Sequence, residues 1–274
     1  MTAPIMSRFA ALPMYDPPEL REATDALWAA IADRLSAGGL SLVPEKLTRD
    51  GDLAALWRRG GLLLGQTCGY PLMTQWAGRF TVVATPLYRA EGCEGPFHRS
   101  AIVVARGSTA GHLGDLRGAR CAVNDWTSNT GMNLLRARVS PLAERGRFFG
   151  SVVASGSHRQ SLTLIAEGAA DVAAIDCVTL ALLRRVAPEL VAAVRILDWS
   201  APSPALPLIT ALDTGPAVLE LLRTALREIA AAPALAGVRE TLLIDGFEQL
   251  PPDSYGAVLE FERVAAGRGY PAVA

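Results

Sequence analysis

At 274 residues the chain is long enough for one large domain or two smaller ones, each with its own core. Half of its residues are hydrophobic and only 19% are charged, a balance that excludes a disordered chain. Lys and Arg number 26 against 27 Asp and Glu, and the scatter of both signs offers no basic stripe for a nucleic-acid partner.

Apolar residues at 9–14 predict a short buried strand. Asp16-Pro17-Pro18-Glu19 then reads as a helix start, with Asp16 as cap and Pro17 in the first turn. Leu20, Leu27, Ile31 and Leu35 recur on one helical face as far as Gly38-Gly39. Strands are expected at 62–66, 80–84 and 100–105, and a helix opening at Pro71. From 119 onward the alternation is regular. Strands at 119–123, 151–154, 172–175 and 194–197 are interleaved with helices at 129–142, 158–167 and 177–186. Helices at 216–231 and 254–265 follow. Such alternation predicts α/β architecture with a mostly parallel sheet covered on both faces.

Two segments rich in Pro, Gly and Ser, TPLYRAEGCEGPFHRSAIVVA and LDWSAPSPALPLIT, each lie between strand-like runs and read as crossings between lobes. Two crossings make one lobe discontinuous. Residues 1–88 with 206–274 are expected to form lobe one and 95–200 lobe two, with 89–94 and 201–205 as hinges. The cleft of such a clamp is the natural ligand site.

In NDWTSNTGMNLLRARV, four small hydroxyl and amide residues precede Gly131 where a strand hands over to a helix. Ligands of open α/β sheets bind at that carboxyl end. The first helix N–H groups lack internal partners, so Ser128, Asn129, Thr130 and Gly131 suit an oxyanion; a simple cap is the alternative, and four small donors with a Gly favour the anion site over it. Ser157 and His158 open a second helix in the same way, the imidazole being able to donate to an anion. Asp176 ends the strand DVAAID, either capping the next helix or facing the crevice to accept a ligand proton. Tyr15, at the end of the first strand, could line the cleft from lobe one. Trp126 and Trp199 read as packing. Cys68, Cys93, Cys121 and Cys177 form no C-x-x-C pair and have no His at ligand spacing, so reduced, mostly buried thiols are expected, with no metal and no cofactor.

DLRGARCAVNDWTSNTG followed by SGSHRQSLTLIAEGAADVAAID resembles the phosphate-, phosphite- and phosphonate-binding substrate-binding proteins of ABC importers. The resemblance covers most of lobe two and, more loosely, lobe one. It implies the two-lobed type 2 periplasmic-binding-protein fold, with two mixed sheets joined by two crossover segments. The family's S-T-S loop falls on Ser128, Asn129 and Thr130, the middle hydroxyl being replaced by an amide, and its cleft His on His158. Its lobe-one aromatic matches Tyr70, with Thr67 nearby, and the Tyr of its first crossover is replaced by His98. The acid that phosphonate binders carry in the second crossover is missing from APSPALPL, which disfavours an aminoalkylphosphonate and favours a smaller oxyanion.

The leading expectation is a non-enzymatic protein that closes on a small phosphate-like anion, with an ABC permease as the partner the resemblance implies. The alternatives are a cytoplasmic enzyme of the same fold, with His158 and Asp176 as its candidate dyad, and a ligand sensor. The N-terminus has no apolar h-region, and no apolar run approaches the roughly 18 residues of a membrane span. The chain as written therefore reads as soluble and cytoplasmic, or periplasmic if a leader has been trimmed.

Overall fold

The computed structural model describes residues 8–274; the part of the N-terminal reading that falls on 1–7 lies outside them. Twelve strands occur among the described residues: β1 (Phe9–Ala11), β2 (Leu62–Gln66), β3 (Phe80–Tyr88), β4 (Phe97–His98), β5 (Ser100–Ala105), β6 (Arg120–Val123), β7 (Ser151–Ala154), β8 (Val172–Asp176), β9 (Val194–Trp199), β10 (Ser203–Pro204), β11 (Leu208–Ala211) and β12 (Ile244–Glu248). They form two five-stranded sheets, β1-β2-β11-β3-β12 and β7-β6-β8-β5-β9, and a two-stranded ribbon β10-β4 between them. Both large sheets are mixed. β1 and β2 are parallel whereas β11 and β12 run antiparallel to their neighbours. β6 is parallel to β7 and β8, and β5 is antiparallel to β8 and β9.

The second sheet follows from a two-residue period. In β5, Ile102 and Val104 pack into one core with Val172 and Ala174 of β8, while Ala101 and Val103 pack into another with Ala173 and Ile175. Both faces are covered, so these strands read as unbroken apolar runs. In the first lobe, helix Arg21–Ala37 lays Leu27, Trp28, Ile31 and Leu35 against the sheet beside helix Pro216–Ala231, which contributes Leu222, Ala225, Leu226 and Ile229.

Asp16 does not cap the first helix as expected. A 3-10 turn, Pro18–Leu20, precedes it, and the Asp16 carboxylate is taken by Arg49, at 2.6 Å. The expected helix 129–142 is three pieces: a π turn Asn129–Asn133, an α-helix Leu134–Val139 and a 3-10 turn Ser140–Leu142. Leu208–Ala211, inside the Pro-rich run read as a crossing, is a central strand of the first sheet. The short helix Leu53–Arg58 and β12 were not expected; Asp245 and Gly246 break the apolar alternation of β12.

The tail departs from the expected division. Residues 206–274 do not all belong with the first lobe, because helix Ala257–Gly267 packs on helix Leu134–Val139. Val258, Tyr270 and Val273 enter the second lobe's core with Cys121, Leu135 and Phe148. The Phe148 and Phe149 amides donate to the Ala274 carbonyl at 2.7 and 2.9 Å. Tyr255, on the first-lobe side of this third crossing, donates to the Ala205 carbonyl at 2.7 Å.

Candidate functional site

Between the lobes lies a cleft of about 1050 Å³, open solvent included. Its second-lobe wall is built at the carboxyl ends of β6, β7 and β8 by Asn124, Ser128, Thr130, Gly156, Ser157, His158, Arg159, Asp176 and Thr179, and its first-lobe wall by Pro13, Met14, Tyr15, Asp16, Pro17 and Cys68.

Ser128 caps its own helix, its Oγ accepting from Gly131 N–H at 3.0 Å. Thr130 Oγ1 lies 3.2 Å from His158 Nε2, so the two helix starts singled out in the sequence meet at one point. Ser157 caps the second helix, accepting from Gln160 N–H at 3.1 Å. Burial lowers the His158 pKa below its ordinary 6.5, against the pull of Asp176, and His158 Nδ1 is buried with no partner. Gly131 is required by close approach: a Cβ there would fall 1.7 Å from Asn124 Oδ1, itself buried and unpartnered.

Asp176 fills both roles considered for it. Its Oδ1 accepts from Thr179 N–H at 2.9 Å, capping helix Cys177–Val186, and the side chain also lines the cleft. From the opposite wall Tyr15 Oη donates to it, 3.1 Å from either carboxylate oxygen. His98 Nδ1 lies 3.1 Å from Asp176 Oδ2 but poorly aligned, and neither nitrogen of this fully buried ring has a well-directed hydrogen bond. Burial pushes the Asp176 carboxyl up, but His98, His158 and the Thr179 N–H together outweigh it and hold the group below the ordinary carboxylate value. Burial, then Asp176, raises the Tyr15 phenol, which therefore stays protonated and donating.

Other expected residues stand apart from the cleft lining. The Asn129 side chain turns to the crossover, donating to Ser203 Oγ at 2.9 Å, and accepts from Asn133 Nδ2 at 3.0 Å. Thr67 is buried at the end of β2, its amide donating to Pro207 O at 3.3 Å. The Tyr70 ring packs in the second lobe's core under the Arg136 guanidinium, whose carbon lies 5.7 Å from the ring centroid. His98 is held by the β4–β10 ribbon behind Asp176 and reaches the cleft only through that carboxylate. Cys68 and Asn124 were missed. The Cys68 sulfur accepts from the Asn129 amide at 3.2 Å, and burial raises its pKa. Each follows the carboxyl end of a strand, the signal that had picked out 128–131.

Further contacts span the lobes. Arg159 pairs with Glu19 at 2.7 Å, and Arg185 Nη1 donates to the Glu240 carbonyl at 2.7 Å. Among the described residues there is no group of three or more His, Cys, Asp or Glu placed to hold a metal, and no helix long and apolar enough to cross a membrane.

The profile of the phosphonate periplasmic substrate-binding proteins of ABC transporters matches residues 9–255. The chain belongs to this family. Members of the phosphonate-binding family are substrate-binding proteins, not enzymes. No curated protein matches the chain. Solved structures share its two-lobed fold. A binding protein component of an ABC phosphonate transporter from Pseudomonas aeruginosa superposes with TM-score 0.75 at 15% identity, over 96% of this chain and 87% of the other. PhnD1 from Prochlorococcus marinus, in complex with methylphosphonate, gives 0.74 at 15% identity over 94% and 97%. XAC2383 from Xanthomonas citri, bound to ATP, gives 0.71 at 19% identity over 96% and 98%.

Proposed function

We propose that this phosphonate-family protein is the solute-binding subunit of an ABC importer, working in the periplasm and passing its cargo to a permease. Its cargo is a small phosphorus oxyanion of phosphonate, phosphite or phosphate type, bound between the lobes. The observation that carries the reading is the convergence of two helix starts, through Thr130 and His158 at 3.2 Å, on a cleft that Asp176 also lines. The oxygens of the anion would take N–H groups at these helix ends, with the Thr130 hydroxyl and the His158 imidazole as further donors. His158 is neutral before binding, and an arriving anion raises its pKa and favours the charged, doubly donating ring. Contacts such as Arg159–Glu19 support a clamp whose closure excludes water and strengthens the hydrogen bonds inside.

Asp176 sets the selectivity. An ionised carboxylate can only accept, so it tolerates an oxyanion that brings a proton and opposes one that does not. Hydrogenphosphate and monoprotonated methylphosphonate carry such a proton near neutral pH; sulfate does not. Calorimetry with phosphate, phosphite, methylphosphonate and sulfate tests this. At least one phosphorus oxyanion should saturate the protein, with sulfate about 100-fold weaker or more, as a site's unmatched polar group imposes. Equal affinity for sulfate removes Asp176 from the selectivity argument, and no binding of any of the four overturns the reading.

A further inference from the structure

We propose that Cys93 and Cys177 are a disulfide site that fastens the first hinge turn to the second lobe. Their sulfurs lie 3.4 Å apart although 84 positions separate them in the chain. Cys93 sits in the turn closed by its own amide on the Ala90 carbonyl at 3.0 Å, between the end of β3 and β4. Cys177 opens helix Cys177–Val186 directly after Asp176, and its amide is fixed on the Arg99 carbonyl at 3.2 Å. The turn is pressed onto that helix start. A Cβ added at Gly92 would fall 3.0 Å from Cys177 Cβ and 2.6 Å from the Trp199 ring, and Gly92 has the left-handed φ of +94°. A disulfide is about 2.05 Å long, so the two sulfurs, now 3.4 Å apart, need to approach by only about 1.4 Å to bond.

Cys93 is half-buried and Cys177 buried, which sets the order of events. The Cys93 thiolate attacks one sulfur of an oxidant of the disulfide class, forming a mixed disulfide and releasing one thiolate. Cys177 then attacks Cys93 Sγ, breaking the mixed disulfide and expelling the second thiolate. The two protons lost by the cysteines pass to the two leaving thiolates; the cysteines are oxidised and the oxidant is reduced to two thiols. Both residues pack against the first lobe's core, Cys177 beside Tyr15 and Leu182, so the bond would tie hinge, cleft wall and first lobe together.

The test is incubation of the intact protein with oxidised glutathione, followed by denaturation, blocking with N-ethylmaleimide, trypsin digestion and mass spectrometry. Cleavage after Arg89, Arg99, Arg159 and Arg184 places the two cysteines in separate peptides, 90–99 and 160–184. The expected product is these peptides joined, two hydrogens lighter than their sum and separated by dithiothreitol. The oxidised protein should also melt roughly 5–15 °C above the reduced one, from the usual stabilisation by a cross-link closing a long loop. Cys93→Ser should lose both the joined peptide and the melting shift. Peptides carrying only maleimide or glutathione, or a link through Cys68 or Cys121 instead, would overturn the proposal.

Discussion

A side chain at Gly131 would meet Asn124, whose Oδ1 lies 1.7 Å from where a Cβ would go. Gly131→Ala should cost about 1–3 kcal/mol in urea unfolding, the usual penalty of overpacking, and Asn124→Ala on the same background should restore most of it. An unchanged midpoint in the single variant would mean that Asn124 turns away freely. Ser128 is a residue whose sequence reading kept two alternatives, and its hydroxyl caps Gly131 N–H. Ser128→Ala should therefore cost about 0.5–2 kcal/mol of stability whether or not an anion is present. His158 makes the ligand-free protein pH-sensitive. Its folded pKa lies below the unfolded value of 6.5, so the unfolded chain takes up a proton that the folded state refuses. The stability it contributes is full above 6.5 and is lost as pH falls through that value and below. Asp176, also held low, adds a further loss as pH falls through and below its ordinary 3.8. Melting curves of His158→Gln should lose the first decline, near pH 6, and keep the second.

Elements were legible where one period dominates a run. The strands between 119 and 199 lie close to their expected bounds because β6, β7 and β8 each give way to a helix start and β9 ends at a Pro-rich run, whereas the short helix Pro188–Ala192 was not expected. β11 hid because prolines at 202, 204 and 207 lead straight into it, and a strand four residues long carries little pattern of its own. The helix at 129 was placed but its π opening was not, since that opening depends on the Asn133 amide reaching the Ser128 carbonyl at 3.0 Å. In the candidate site, strand-end position pointed to Ser128, Thr130, Ser157, His158 and Asp176, which line the cleft. Local pattern could not say that Asn129 turns to Ser203, because that contact joins residues 74 apart. The pairing of Tyr15 with Asp176 belongs to this scale, linking the end of β1 to the end of β8 across the cleft. Tyr15→Phe deletes a hydrogen bond to a buried carboxylate and should cost about 1.5–3 kcal/mol. A loss below about 0.5 kcal/mol would show that water replaces the phenol there.

At the scale of the molecule, three segments connect the lobes: the turn around Cys93, the run through Ser203, and the stretch from Tyr255 to Val258. The third gives the second lobe a buried ring, Tyr270, from the far end of the chain. Tyr270→Ala should cost about 3–5 kcal/mol, as other large aromatic truncations do, and expose Cys121 to thiol reagents. Intact protection of Cys121 in that variant would show that the tail is dispensable to the core. The interleaving also governs how the protein is made. β11, central in the first sheet, is translated only after the whole second sheet, and the second core waits in turn for Tyr270. A nascent chain emerging from the ribosome can thus complete neither half until its last third is out. Completion of both halves is thereby tied to the end of the chain: a chain cut before Leu208 lacks both the strand between β2 and β3 and the ring that closes the second core.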